Sequence, residues 1–195
     1  MPVKLRPEAF GLITPPHLAS PTRAALESAL AEILGGLELG GGDWVVDLGC
    51  GSGEYRHLFL CRPYLGLDLE DREFAAKLGP GVAFARADAH RLPLSDGSAG
   101  LVFCAYAFDR FAEPERAMAE IARVLAPGGA ALLALPTTAV KVFDLQARAL
   151  QGLGFLRGVE LSGQTNLNYY RPEEFARLAA RHGLGLERSM PLGGP

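Results

Sequence analysis

The sequence predicts an open α/β fold: a mostly parallel sheet wound on both faces by helices. Three observations carry that expectation. Short, almost wholly apolar runs recur at 44–48, 64–69, 82–87, 101–108 and 131–136, as strands covered on both faces require. Helical periodicity fills several of the gaps between them. A chain of 195 residues is about one domain long and large enough for a two- or three-layer core. Such strand–helix alternation builds parallel sheets through right-handed crossovers.

Taken in order, residues 1–20 are proline-rich and aperiodic, an arm rather than a core element. Ser20-Pro21 offers an N-cap and a first-turn proline; Leu26, Leu30, Ile33, Leu34 and Leu37 follow at helical spacing, and Gly35-Gly36 stops the helix. WVVDL (44–48) is the first sheet strand and runs into three alternating glycines. YLGLDL (64–69), VAFARA (82–87) and LVFCAYAF (101–108) are the next strands. In EPERAMAEIARVLAPGG, Pro114 sits near the first turn of a helix. Ala117, Ile121, Val124 and Leu125 form its inward stripe, and Pro127-Gly128-Gly129 ends it. ALLALP (131–136) is a fifth strand. Residues 138–153 read as a helix, then a glycine-punctuated stretch runs through GQTNLNYYRP. The last helix opens at Pro172, stops at Gly183 and leads into a final strand. The expectation is therefore six clear strands, with a seventh absent or built from an unusual segment. One domain spans 1–195: arm and helix (1–40), ligand-binding core (42–136), covering segment (137–171), and final helix and strand (172–195).

Composition narrows the function. A net charge of −3 and a pI near 5.8 argue against a general nucleic-acid binder. No window approaches the roughly 18 unbroken apolar residues of a membrane helix. The N-terminus lacks a sustained apolar region and a small-residue cleavage site, so a cytoplasmic protein without a membrane span is expected. Cys50, Cys61 and Cys104 show no paired Cys/His spacing, which argues against a disulfide framework or a metal site and suits a reducing compartment. The oligomeric state is open.

The chemistry starts at VVDLGCGSGEY (45–55). A glycine-rich strand-to-helix turn lets backbone approach a ligand closely, and a helix N-terminus would aim amides at it. By itself Gly49-x-Gly51-x-Gly53 is a weak signal, compatible with a bare turn. It also departs from the dinucleotide fingerprint: Glu54 stands in the last glycine slot. Asp47, two residues before Gly49, would help hold a cationic amino group and would repel a pyrophosphate. Asp68 ends the next strand, where an acid can accept two ribose hydroxyls, and Asp88 follows the third. Three acids at three successive strand ends suit a ligand with a cationic end, a ribose and an adenine.

At these residues the resemblance to a family is plain. VVDLGCGSGEY, GLDLED, ADAHRLPLSDGSAGLVFCAYAF and RVLAPGGAALLALP, in that order over about residues 42–136, resemble the successive motifs of class I S-adenosylmethionine-dependent methyltransferases. YRPEEFARLAARHGLGLE echoes them more weakly, and the nearest group acts on small molecules such as quinone and lipid precursors. The resemblance implies a Rossmann-like sheet of seven mostly parallel strands, with the cofactor, S-adenosyl-L-methionine, across the strand carboxyl ends. It implies that Gly49, Cys50, Gly51 and Gly53 lie under the methionine part, with Asp47 near its amino group. Asp68 would accept the ribose hydroxyls and Leu69 would pack on the adenine. Asp88 would take the exocyclic amine, the Ala89 backbone would meet the ring, and the Ala105 backbone would face the amino group. The partner implied is a small-molecule methyl acceptor.

Catalytic residues are not legible. Methyl transfer chiefly needs alignment and exclusion of water, and needs a base only where the acceptor must lose a proton early. Where family members often carry a histidine after the fourth core strand, this chain has Asp109-Arg110. His17, Tyr106, Tyr169 and Tyr170 are the candidate acceptor-pocket residues. His57 and His90 read as structural, and Cys50 and Cys104 carry no nucleophile role. The other readings are a cofactor-binding module without transferase activity and, less favoured, an NAD-dependent oxidoreductase.

Overall fold

The computed structural model describes residues 3–4, 23–37, 44–60, 62–71, 74, 78–135, 159–160, 168, 170–187 and 189. Five strands form a wholly parallel sheet: β2 (Val45–Leu48), β3 (Tyr64–Asp68), β4 (Val82–Arg86), β5 (Ala99–Ala105) and β6 (Leu125–Ala134), in the spatial order β4-β3-β2-β5-β6. A separate two-residue pair joins β1 (Val3–Lys4) to β7 (Val159–Glu160). Three helices are described: α1 (Arg23–Gly35), α2 (Pro114–Val124) and α3 (Pro172–Arg181).

Both faces of the sheet are covered, which is why its strands are apolar without alternation. Side chains of successive strand residues point to opposite faces. Val46 and Leu48 therefore join Ala117, Met118, Ile121 and Val124 of α2 and Leu178 and Ala179 of α3 in one core. Val45 packs on the other face with Leu30 of α1, Phe59, Tyr64, Phe74 and Phe103. Across β5, Leu101, Val102, Phe103 and Cys104 are wholly buried. At roughly 2 kcal/mol for each large apolar side chain removed from water, this central pair of strands dominates the stability of the sheet.

The structure departs from the sequence expectation at three places. The glycine loop leads into a single 3₁₀ turn, Arg56–Phe59, rather than a full helix, because the connection to β3 is short and Pro63, just before Tyr64, disfavours helical backbone at the residue preceding it. Pro127-Gly128-Gly129 does not merely stop α2. It forms a bulge within β6, where the register slips between Ala99 and Leu101. The final strand is not seen over 184–187. The Leu184 amide there closes the end of α3 on the Ala179 carbonyl, 3.1 Å away, beside Gly183 on Ala180, and is unavailable to a sheet. The helix expected over 138–153 lies outside the described residues, as does Cys61.

Candidate functional site

The strand order creates the site. From the central β2 the chain moves outward to β3 and β4, then returns to lay β5 and β6 on the other side. Connections leaving the carboxyl ends of β2 and β5 thus diverge, and in open α/β sheets the crevice between them receives ligands. Neighbouring strands lie about 4.8 Å apart, so the exits of β4, β3, β2 and β5 form a row roughly 14 Å long. Along it stand Asp88-Ala89, Asp68-Leu69, the Gly49–Gly53 loop and Ala105-Tyr106.

The glycine loop is specified by its neighbours. Gly49, Gly51 and Gly53 have φ of 76°, 54° and 72°, which L side chains rarely adopt. A Cβ on Gly49 would lie 2.3 Å from Ala107 Cβ, and one on Gly53 would lie 2.0 Å from the Phe74 ring. The turn after β5 therefore rests directly on the first glycine. β3 braces the loop: the amides of Gly49 and Cys50 donate to the Leu67 carbonyl at 2.7 and 3.2 Å, and that of Gly51 donates to Asp68 Oδ2 at 2.8 Å. Burial, together with the charges of Asp47 and Asp68, pushes the Cys50 thiol up, which leaves it a packed and unreactive group.

The three acids lie in three different environments. Asp47 is 2% exposed, and its Oδ2 accepts a hydrogen bond from the Tyr64 hydroxyl. Burial raises its pKa to about 7; the Tyr64 bond opposes that rise and the charge of Asp68 adds to it. Asp68 is half-buried. Besides the Gly51 amide it accepts the Glu70 amide on Oδ1 at 3.1 Å. A carboxylate offers about four acceptor positions, so about two remain open. The Asp88 side chain is 54% exposed; its Oδ1 accepts the His90 amide at 2.9 Å and lies 2.6 Å from His90 Nδ1. The His90 backbone bond, then its ring, hold the Asp88 carboxyl below the usual range. His90 Nε2 accepts the Glu113 amide at 3.2 Å, which places the ring proton on Nδ1 and ties the β4 exit to the start of α2. Leu69 is 63% exposed beside Asp68, an apolar shelf open to a flat ring, whereas Ala89 is buried and Ala105 half-buried.

On the far side of the crevice, Tyr106 has φ of 53°, the one non-glycine residue with positive φ among the described residues. Such strain persists where surroundings over-determine it, commonly at ligand sites. Its amide donates to the Ala134 carbonyl at 2.9 Å, and burial followed by the neighbouring Tyr55 pushes its hydroxyl up to about 12. Tyr55, which the sequence reading passed over although it directly follows the glycine loop, packs edge-on against Phe103 at 5.7 Å. Tyr55 and Tyr106 share the apolar cluster of the α1 face, whereas Tyr170 belongs to the opposite one, between Phe108 (6.0 Å) and Phe175 (5.5 Å). The structure thus sets Tyr106 and Tyr170 apart; His17 and Tyr169 lie outside the described residues. Asp109 is buried just beyond Tyr106, with Oδ1 lacking a hydrogen-bond partner and its pKa raised by burial. His57 is held between the Glu54 carbonyl (3.0 Å) and Glu27 (3.4 Å). No cluster of metal-ligating side chains occurs, and no helix is long and apolar enough to cross a membrane, among the described residues.

Comparison with known proteins bears on the same segment. A profile of the family described as "Methyltransferase domain" matches residues 46–133. Demethylmenaquinone methyltransferase of Thermus thermophilus is 32% identical over 154 residues, 72% of this chain and 69% of that protein. Four further relatives are matched over less than half of their own length. The protein solved in complex with the Haloferax volcanii Trm112 methyltransferase activator overlays with a TM-score of 0.65 at 26% identity, covering 83% of this chain and 68% of that one. Phosphoethanolamine N-methyltransferase 2 of Haemonchus contortus, solved with S-adenosyl-L-methionine, shares the fold at 18% identity and a TM-score of 0.61, over 91% of this chain and 40% of that one.

Proposed function

The chain belongs to the S-adenosylmethionine-dependent methyltransferases, and from that premise we propose that it methylates a small, partly apolar acceptor at the carboxyl edge of its sheet. The observation that carries the site assignment is the row of Asp88 just past β4, Asp68 at the end of β3 and Asp47 near the end of β2, ending at the braced glycine loop. The residues fit S-adenosyl-L-methionine. Asp47 is a buried carboxylate that no cationic side chain pairs among the described residues, and Asp68 keeps acceptor positions for a diol. Leu69 offers an apolar shelf for the adenine, with Asp88 and the Ala89 backbone at its edge. Gly49, Cys50, Gly51 and Gly53 would carry the methionine part, with the Ala105 backbone opposite. Bound there, S-adenosyl-L-methionine supplies an electrophilic methyl group on a positively charged sulfur.

The chain's own contribution is alignment and exclusion of water, which in favourable cases supplies on the order of 7 kcal/mol or more of barrier lowering. Tyr106, aimed by its strained backbone, and Tyr55 wall the acceptor side with apolar ring surface. The rest of the pocket, by this reading, comes from residues 1–20 and 137–171, with His17 and Tyr169 as its candidate members; Tyr170 leaves the list, because it packs on the opposite face of the sheet between Phe108 and Phe175. The Thermus relative, a demethylmenaquinone methyltransferase, directs the acceptor search to demethylmenaquinone and similar quinones. Free thiols at Cys50 and Cys104 suit a cytoplasmic setting.

Ligand-induced stabilisation tests the proposal. A ligand at 100 times its Kd stabilises the folded state by about 2.7 kcal/mol, which raises Tm measurably. S-adenosyl-L-methionine and its demethylated product should both do so, and demethylmenaquinone should then gain one methyl group by mass spectrometry. A rise with NADH and none with either adenosyl ligand would overturn the cofactor assignment. Cofactor binding without methyl transfer across a panel of quinone and phenol acceptors would overturn the acceptor class.

A further inference from the structure

The Tyr64–Asp47 pair is the feature of the site that methyl transfer does not require. Tyr64 opens β3 opposite Val45, and Asp47 lies two residues further along β2 on the same face, so the phenol reaches along the sheet to the carboxylate. Phe59 and Phe74 flank the phenol ring, each 6.0 Å from it between centroids, and fix its position. Tyr64 and Asp47 are almost wholly buried. The other ionisable groups that act on the pair are Asp68 at the end of β3, Cys50 in the glycine loop, Cys104 on β5 and Arg56 on the 3₁₀ turn. Three of these are acids or thiols, and Arg56 acts on Tyr64 rather than on Asp47. Among the described residues no cation offsets the carboxylate where β2 meets its ligand loop.

We propose that Tyr64 is a positioning residue that holds Asp47 as a proton-exchanging acceptor, so that entry of the cofactor's amino group expels one proton from the site to solvent. The proposal rests on the cofactor reading above and adds to it. Without ligand, burial favours the neutral acid. With an ammonium group close by, the carboxylate is favoured, and the proton that leaves Asp47 goes to buffer. Tyr64 moderates the exchange, because its O–H donates to the carboxylate and stabilises the charged form.

With Asp47 titrating at about 7, a ligand that needs the carboxylate should bind about 30-fold more weakly at pH 5.5 than at pH 8. S-adenosylhomocysteine is the probe; its amino group stays protonated throughout that range. Calorimetric titration in buffers of different ionisation enthalpy should show close to one proton released per ligand at pH 6. Asp47→Asn should abolish the release and flatten the pH dependence, whatever its affinity. Tyr64→Phe should move the midpoint to higher pH; a uniform loss of affinity at every pH would mean that Tyr64 is only packing, and would overturn its role. The wild-type release needs no variant: binding without proton release at pH 6 overturns the inference and leaves the cofactor assignment intact. Failure to bind at any pH overturns both.

Discussion

Asp68 is the residue whose removal should cost most in cofactor affinity, and the structure shows why its effect must be split in two. Its carboxylate accepts the Gly51 amide at 2.8 Å and the Glu70 amide at 3.1 Å, so it supports the glycine loop before any ligand arrives. By the assignment above, the remaining acceptor positions take the two ribose hydroxyls. Hydrogen bonds to a charged group contribute about 1.5–3 kcal/mol each. Losing two, with partial compensation by water, should weaken S-adenosylhomocysteine binding by at least about 100-fold, or roughly 2.7 kcal/mol. Asp68→Ala, tested by calorimetry, measures the sum of ribose contact and loop support. The 2′,3′-dideoxy form of the same ligand separates them through a double-perturbation cycle. If Asp68 holds the diol, removing the hydroxyls should matter in the wild type and hardly at all in the variant. Strict additivity would confine Asp68 to loop support and refute the ribose assignment, as would affinity within about threefold of wild type in a folded Asp68→Ala protein.

Three further outcomes follow from local geometry. The folded chain keeps the Asp47 proton up to about pH 7, whereas the unfolded chain releases it near 3.8, so this group's contribution falls as pH rises from about 4 to 7 and is level above. Asp47→Asn should therefore stabilise the ligand-free protein at pH 8 by up to about 4 kcal/mol and little at pH 4, and urea melts giving equal gains at both would refute it. Gly53→Ala puts a methyl 2.0 Å from Phe74 in a left-handed conformation. It should lower stability by roughly 2–4 kcal/mol in thermal melts, with partial recovery in Gly53→Ala/Phe74→Leu. Arg123 chelates Glu120 at 2.7 and 2.8 Å and reaches Asp96 and the carbonyls of Leu94 and Leu92, clamping the loop before β5 to α2. At 30% exposure Arg123→Ala should cost about 1–2 kcal/mol by urea unfolding, and Arg123→Lys should recover little of it because it cannot fork.

What the sequence disclosed and what it hid divide along a physical line. Val45–Leu48 and Ala99–Ala105 were readable because parallel strands buried on both faces need only be apolar, whatever their register. The stripe of α2, with Ala117, Ile121 and Val124 buried, followed from helical periodicity. The three acids were readable as positions at strand ends. Their partners were not, because Tyr64 meets Asp47 only through the pairing of Val45 with Tyr64, a fact of register rather than of local pattern. The same limit hid the apolar cluster that Tyr55 and Tyr106 share, and the closeness of Ala107 to Gly49. The bulge at Pro127-Gly128-Gly129 escaped because proline and glycine after a helix read equally well as a stop.

These contacts also change what the glycine loop means. In a dinucleotide site a long helix follows the loop, and its aligned peptide dipoles draw a pyrophosphate to the amides. Here the loop leads into one 3₁₀ turn, too short to sum a dipole of that size. Moreover, the Gly51 amide is already engaged by Asp68. The ionisable groups nearest the loop, Asp47 and Asp68, are acids, and Asp47 has no cation to offset its charged form among the described residues. An anion entering there would meet repulsion without the usual compensation, whereas an ammonium group would supply the charge that the buried carboxylate lacks. Under the proposed assignment, selectivity for a sulfonium-bearing amino-acid nucleoside over a dinucleotide would come less from the glycines, which only let a ligand approach, than from Asp47, a buried acid that gains its counter-charge when a cation arrives.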